Sequence, residues 1–153
     1  MKVAVGSDHA GYALKERIKR ELEALGHAVA DVGTSSGTES VDYPDFAIPV
    51  AERVAGGGAE RGVVVCATGI GAGIAANKVV GVRAAVVTSD ETARLTRQDN
   101  DSNVLALGGR TTANPEDAVR WLRIWLETPF AGGRHERRVK KIADYEAHHP
   151  LKR

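Results

Sequence analysis

Short apolar runs alternate with longer amphipathic ones along the whole chain. Val3–Gly6, Ala28–Val32, Gly62–Cys66, Ala84–Thr88 and Val104–Leu107 are four or five residues long and apolar almost throughout. Near-continuous apolarity at that length predicts strands buried on both faces, as in a parallel sheet. Between them, Tyr12–Leu25 places Leu14, Ile18, Leu22 and Leu25 at helical spacing with Lys, Arg and Glu in between, and Gly26 supplies a stop. Asp45–Ala55 repeats that pattern after Tyr43-Pro44. Pro115–Leu126 follows Asn114, a good N-cap with proline in the first turn. Glu136–Ala147 predicts a last, highly charged helix. Strand–helix alternation of this kind specifies an α/β sandwich with a parallel sheet, here of five strands, and a C-terminal helix. No repeat or long linker divides the chain, so residues 1–153 read as one domain, with Gly33–Val41 as the longest irregular loop.

Composition narrows the class. The 153 residues carry 21 Lys and Arg against 20 Asp and Glu, a balance that excludes a polybasic nucleic-acid binder. The near-neutral total hides an asymmetry: Ala131–Arg153 holds seven basic residues against three acidic ones. That segment has Tyr145 as its one aromatic residue and so lacks a stacking platform for bases. One cysteine forms no internal disulfide, and no apolar run approaches the ~20 residues of a membrane span. The amino terminus enters a strand at once, unlike a signal peptide, so a cytoplasmic protein without membrane contact is expected. Two of the five histidines, His148 and His149, fall in a tail expected to fray, and no HxxxH or CxxC spacing suggests a metal.

In parallel α/β sheets, ligands bind beyond the carboxyl ends of the strands. After the first strand stands Ser7-Asp8-His9-Ala10-Gly11, where Asp8 is either a ligand for a hydroxyl or a helix cap. After the third stands Cys66-Ala67-Thr68-Gly69-Ile70-Gly71-Ala72-Gly73. Its three alternating glycines let backbone N–H groups converge on an anion. It is neither a dinucleotide fingerprint, since Ile74 stands where a glycine is required, nor a Walker loop, since no GK[ST] follows. A lone cysteine is ordinarily a small buried hydrophobe. Beside such a cradle Cys66 is a candidate base instead, because proton abstraction next to a carbonyl needs a base and N–H donors for the enediolate oxygen. Arg110 follows the fifth strand, and Arg134 and Arg138 share a helix face; with His9 they suggest a phosphate clamp.

Together these residues resemble ribose-5-phosphate isomerase type B, a family grouped with the galactose-6-phosphate isomerase subunits. The stretches that carry the resemblance are GSDHAG at Gly6–Gly11, Asp42-Tyr43-Pro44, CATGIGAGIAANK at Cys66–Lys78, NDSNVLALGG at Asn100–Gly109 with Arg110, and GRHERR at Gly133–Arg138. The resemblance implies a Rossmann-like three-layer α/β/α fold and an aldose–ketose isomerase without metal or cofactor, acting on a small phosphorylated sugar. It also implies a homodimer with sites built across the interface, and dimers of dimers as a further assembly. By position it makes Cys66 the base between C1 and C2. Thr68 and the backbone from Ala67 through Gly69, Ile70 and Gly71 to Gly73 would form the anion hole. Asp8, Tyr43 and Asn100 would line the sugar site, and His9, Arg110, Arg134 and Arg138 would hold the phosphate. A glutamate-base branch of the family has its base where this chain has Ala72, so the chain resembles the cysteine branch.

One position departs from that pattern. Family members commonly carry a histidine before Asn100-Asp101 that opens the furanose ring; here the residue is Asp99, and no histidine lies near it in sequence. Either Asp99 opens the ring, or ring opening is not needed, as for a four-carbon sugar 4-phosphate. Ribose 5-phosphate is the expected substrate, with tetrose 4-phosphates and hexose 6-phosphates as alternatives. A non-catalytic nucleotide-binding module is the competing class, and it would leave Cys66 without a role.

Overall fold

The computed structural model describes residues 1–149. The chain runs β1 (Lys2–Ser7), α1 (Tyr12–Ala24), β2 (Ala28–Asp31), α2 (Pro44–Ala55), β3 (Arg61–Cys66), α3 (Ile70–Ala76), β4 (Ala84–Val86), α4 (Asp90–Asn100), β5 (Val104–Gly108), α5 (Pro115–Glu127) and α6 (Arg134–His148). All strand pairs are parallel, in the order β2-β1-β3-β5-β4. This is the five-stranded parallel sandwich that the alternating pattern predicts, in the Rossmann-like form that the resemblance implies.

The two faces of the sheet are packed differently. On one, Val3, Val5, Val63, Val65, Leu105 and Leu107 meet Leu14, Ile18 and Leu22 of α1 and Leu122 and Trp125 of α5. On the other, Ala4, Val64 and Ala106 meet Val50 and Ala51 of α2 and Ala72 and Ala76 of α3. Small residues let α2 and α3 approach closely, and Cys66 belongs to this second cluster. Helices α1 and α3 therefore leave neighbouring strands toward opposite faces. The crevice between the carboxyl ends of β1 and β3 is the topological switch point, where such sheets bind ligands.

Helix α4 is the element that the hydrophobic pattern does not announce. Its sequence DETARLTRQDN buries only Ala93, Thr96 and Arg97. A capping box starts it: Ser89 Oγ accepts from Thr92 N–H at 3.1 Å, and Ser89 N–H donates to Thr92 Oγ1 at 3.2 Å. Its end is fixed electrostatically. Asp101, at φ 46°, ties to Arg97 at 2.8 Å and to Arg83 at 3.4 Å, and Arg83 Nε donates to the Asn100 carbonyl at 3.0 Å. The strand expected over Ala84–Thr88 is shorter, ending at Val86.

Helix α6 begins at Arg134, earlier than expected, and takes in His148, so that histidine is helical. None of its residues is buried. Lys152 and Arg153, part of the basic tail, lie outside the described residues. Among the described residues no helix is long and apolar enough to cross a membrane.

Candidate active site

Three loops meet at the switch point. Asp8 N–H donates to the Val65 carbonyl at 3.3 Å, joining the end of β1 to that of β3. Gly109 and Arg110 N–H groups donate to the carbonyls of Cys66 and Ala67 at 2.8 and 2.9 Å, joining the end of β5 to the same loop. Asp8, His9, Cys66–Gly73 and Arg110 are thereby gathered at one end of the sheet.

Cys66 lies at the last position of β3 and is 4% exposed. Its Sγ accepts the Gly69 N–H at 3.2 Å. That contact aims a backbone donor directly at the sulfur. Thr68 Oγ1 accepts the Ile70 N–H at 3.1 Å, which closes the turn into α3. The first i→i−4 bond of α3 is Gly73 N–H to Gly69 O at 2.9 Å, so the N–H groups of Gly71 and Ala72 remain open at the start of the helix. A thiol and open amides thus stand side by side.

Two glycines are required by this geometry. Gly69 has φ 79°, and a β-carbon there would lie 2.9 Å from the Leu107 backbone. At Gly71 a β-carbon would meet the Tyr43 ring at 2.7 Å. Tyr43 precedes Pro44 at the start of α2, and its ring forms a wall over the glycine loop.

Asp8 is buried and its Oδ1 accepts the Gly11 N–H at 3.0 Å. The carboxylate thus orders the turn into α1 with one oxygen, while the other makes no hydrogen bond among the described residues. His9 is half-buried, and its Nδ1 lies 3.2 Å from both the N–H and the carbonyl of Val41, which anchors the Gly33–Val41 loop beside the site. Arg110 is exposed. Deeper in the wall, Lys15 Nζ is 1% exposed and donates to Asp31 Oδ1 and to the Thr34 carbonyl, both at 2.8 Å. Burial alone would raise the Asp31 pKa, but hydrogen bonds from Lys15, Lys19 and the Gly33 N–H outweigh it and hold the carboxyl below the ordinary range.

Asp99, Asn100, Arg134 and Arg138 are not in this group. Gly62 pairs with Val104 and Cys66 with Gly108, so the residues before β5 lie level with the amino end of β3. Asp99 and Asn100 close α4 at that end, roughly 13 Å of strand from Cys66. Ala131 N–H donates to the Gln98 carbonyl at 3.0 Å, which docks the start of α6 there too. At its far end Glu146 accepts the Gly81 N–H at 3.1 Å, so α6, with Arg134 and Arg138, runs along the amino-terminal edge. Within one chain, the four-group clamp of His9, Arg110, Arg134 and Arg138 is split between opposite ends of the sheet.

His135 is the residue that the sequence alone does not bring forward. Its Nε2 lies 3.4 Å from Asp99 Oδ1. No histidine is near Asp99 in sequence, yet one is beside it in space; only the fold shows the pairing. Among the described residues no three His, Cys, Asp or Glu side chains cluster in a way that would hold a metal ion.

A buried thiol and open amide donors stand at an α/β switch point with an aspartate, a histidine and an arginine, the groups that acid–base chemistry on a small polar anion requires. Comparison with known proteins specifies it further. The ribose/galactose isomerase family model matches residues 3–142. The Escherichia coli ribose-5-phosphate isomerase B is 45% identical over 95% of this chain and 96% of its own length. A Clostridium thermocellum ribose-5-phosphate isomerase B structure superposes with a TM-score of 0.94 at 49% identity, covering 97% of this chain and 99% of the other. A Mycoplasma genitalium ribose-5-phosphate isomerase B structure with bound ribulose 5-phosphate gives a TM-score of 0.91 at 39% identity over 95% and 96% of the two chains. The chain belongs to the ribose/galactose isomerase family and is an aldose–ketose isomerase of the type B kind, a sugar phosphate isomerase. That assignment leaves the non-catalytic nucleotide-binding reading without support.

Proposed function

We propose that this enzyme interconverts ribose 5-phosphate and ribulose 5-phosphate through a cis-enediolate, with Cys66 as the base. The observation that carries the mechanism is the Gly69 N–H donated to Cys66 Sγ at 3.2 Å, next to the open amides of Gly71 and Ala72. The thiolate takes the C2 proton of the open-chain aldose, and the electron pair moves onto the carbonyl oxygen as an enediolate. The open amides of Gly71 and Ala72 stabilise that oxygen, and Asp8 and Tyr43 hold sugar hydroxyls. The proton returns to C1, and transfer of a proton between O2 and O1 completes the ketose, with Thr68 as the nearest hydroxyl for that relay.

The working unit in this proposal is a homodimer. A site with Cys66 at one end of the sheet and Asp99, Asn100, Arg134 and Arg138 at the other is complete only if a second copy brings its amino-terminal edge to the first copy's carboxyl end. The surface supports this. Ile70 and Ile74 of α3 are 56% and 59% exposed, Val86 lies exposed on the edge strand, and α6 buries no residue. Monomers rarely leave such apolar strips and an edge strand open to water. His9 and Arg110 of one copy would then share the phosphate with Arg134 and Arg138 of the other.

A second reading rests on Asp99. With a carboxylate in the position of the family's ring-opening histidine, an erythrose 4-phosphate that cannot close a furanose ring is the competing substrate. The deciding experiment compares kcat/KM for ribose 5-phosphate and erythrose 4-phosphate, with Cys66→Ala as the blank. Faster turnover of the pentose supports the proposal; a large tetrose preference replaces the substrate, and full activity of Cys66→Ala overturns the mechanism.

A further inference from the structure

We propose that Asp99 and His135 act as one acid–base unit in which the imidazole of His135, held by Asp99, opens the sugar ring. This rests on the pentose reading of the preceding subsection and names the group that performs its first step. An aldopentose 5-phosphate rests as a furanose closed through its 4-hydroxyl, and the C2 proton becomes acidic only beside the open aldehyde.

Opening the ring takes a proton from the C1 hydroxyl. The bond between C1 and the ring oxygen breaks with its electrons moving to that oxygen, which then receives a proton. One group that accepts and then returns a proton suffices. A carboxylate with the ordinary value of about 3.9 is a weak base for that hydroxyl proton, whereas an imidazole, ordinarily near 6.5, both accepts it more readily and returns it to the ring oxygen.

The geometry places that imidazole where Asp99 alone would stand. His135 Nε2 lies 3.4 Å from Asp99 Oδ1, and the His135 side chain is only 12% exposed. With the carboxylate beside Nε2, the proposal leaves Nδ1, which makes no hydrogen bond among the described residues, to act on the sugar. Asp99 is thus a positioning residue: it sets the tautomer and stabilises the imidazolium that forms in the step. The pair is itself held. Ala131 N–H on the Gln98 carbonyl docks the segment entering α6, and Gln98 Nε2 lies 3.4 Å from Asp99 Oδ1. On its own helix His135 stands next to Arg134 and Glu136 in sequence and one turn from Arg138. The two arginines carry the phosphate in the proposed site, so the imidazole travels with the groups that fix the substrate.

The test is a double-mutant cycle with Asp99→Asn, His135→Gln and the double variant, assayed on ribose 5-phosphate and on erythrose 4-phosphate. The tetrose has no free hydroxyl for a furanose ring and serves as the control for folding and phosphate binding. The expected result on ribose 5-phosphate is a loss of about 100-fold in kcat/KM for His135→Gln. Asp99→Asn should lose about 10-fold, and the double variant should be no worse than His135→Gln, because paired groups act as a unit. On erythrose 4-phosphate all three should stay near wild type; where the wild type takes the pentose alone, the cycle on the pentose decides. Losses that multiply in the double variant, equal losses on both sugars, or no loss at all would overturn the pairing. A wild-type enzyme that takes erythrose 4-phosphate and not ribose 5-phosphate overturns it as well. Wild-type inactivity on both sugars removes the reaction, a failure visible before any variant is made.

Discussion

The Cys66 sulfur accepts the Gly69 amide at 3.2 Å, so the proposed base is tied to the turn whose next open amides, Gly71 and Ala72, form the proposed anion hole. Cys66→Ser keeps size and hydrogen bonding but loses the acidity of sulfur. We expect kcat to fall by about 100-fold to 10,000-fold with little change in KM, measured by steady-state kinetics. A variant with an unchanged kcat would remove Cys66 from the chemistry.

The contact between Tyr43 and Gly71 is equally specific. A β-carbon on Gly71 would sit 2.7 Å from the Tyr43 ring, so Gly71→Ala must displace the ring. Overpacking of this kind costs about 1–3 kcal/mol where the wall is rigid. Since Tyr43 is exposed on its other side, the ring gives way and the sugar wall is lost. We expect KM to rise with the fold retained, and Gly71→Ala/Tyr43→Ala to be no worse than Tyr43→Ala alone.

Stability in acid should depend on Asp31. Its folded pKa is held down by Lys15, Lys19 and the Gly33 N–H against the opposing effect of burial. The stabilisation is present above the unfolded value of about 3.9 and is lost as pH falls through the lower folded value. Asp31→Asn should remove that part of the acid dependence. It also leaves Lys15, 1% exposed, without its close carboxylate, at a cost of about 3 kcal/mol near neutrality. Chemical denaturation from pH 2 to 7 measures both effects.

The apolar strip on α3 provides a test of assembly. Ile70 and Ile74 lie one turn apart and are both largely exposed. Ile74→Glu should therefore leave the monomer fold intact, shift sedimentation from dimer to monomer, and abolish turnover. An active monomer would contradict the shared site.

How much of this the chain declares in advance differs by element. The strands were legible because parallel strands buried on both faces are apolar throughout, as Val63, Val64 and Val65 show. Leu14, Ile18 and Leu22 announced α1 by the same physics. Helix α4 was not announced, because it exposes most of its length and is held by the Ser89–Thr92 cap and by Arg97 and Asp101 rather than by an apolar stripe. At the site, Cys66 and the glycine turn are adjacent in sequence, as are Asp8 and His9, and short motifs expose such groups. The Asp99–His135 contact joins the ends of two helices far apart in the chain, so no local pattern encodes it. Likewise, the placement of Arg134 and Arg138 opposite Cys66 follows from strand register, which only the fold supplies.

The account turns on a site shared between two copies, one giving Cys66 and the other Arg134 and Arg138. The most direct measurement co-expresses Cys66→Ala with Arg134→Ala/Arg138→Ala, each inactive alone, and assays the mixed dimers on ribose 5-phosphate. If the site is shared, half of the dimers are mixed and each holds one intact site, so activity should return to about a quarter of wild type. Mixed dimers as inactive as their parents would contradict the account.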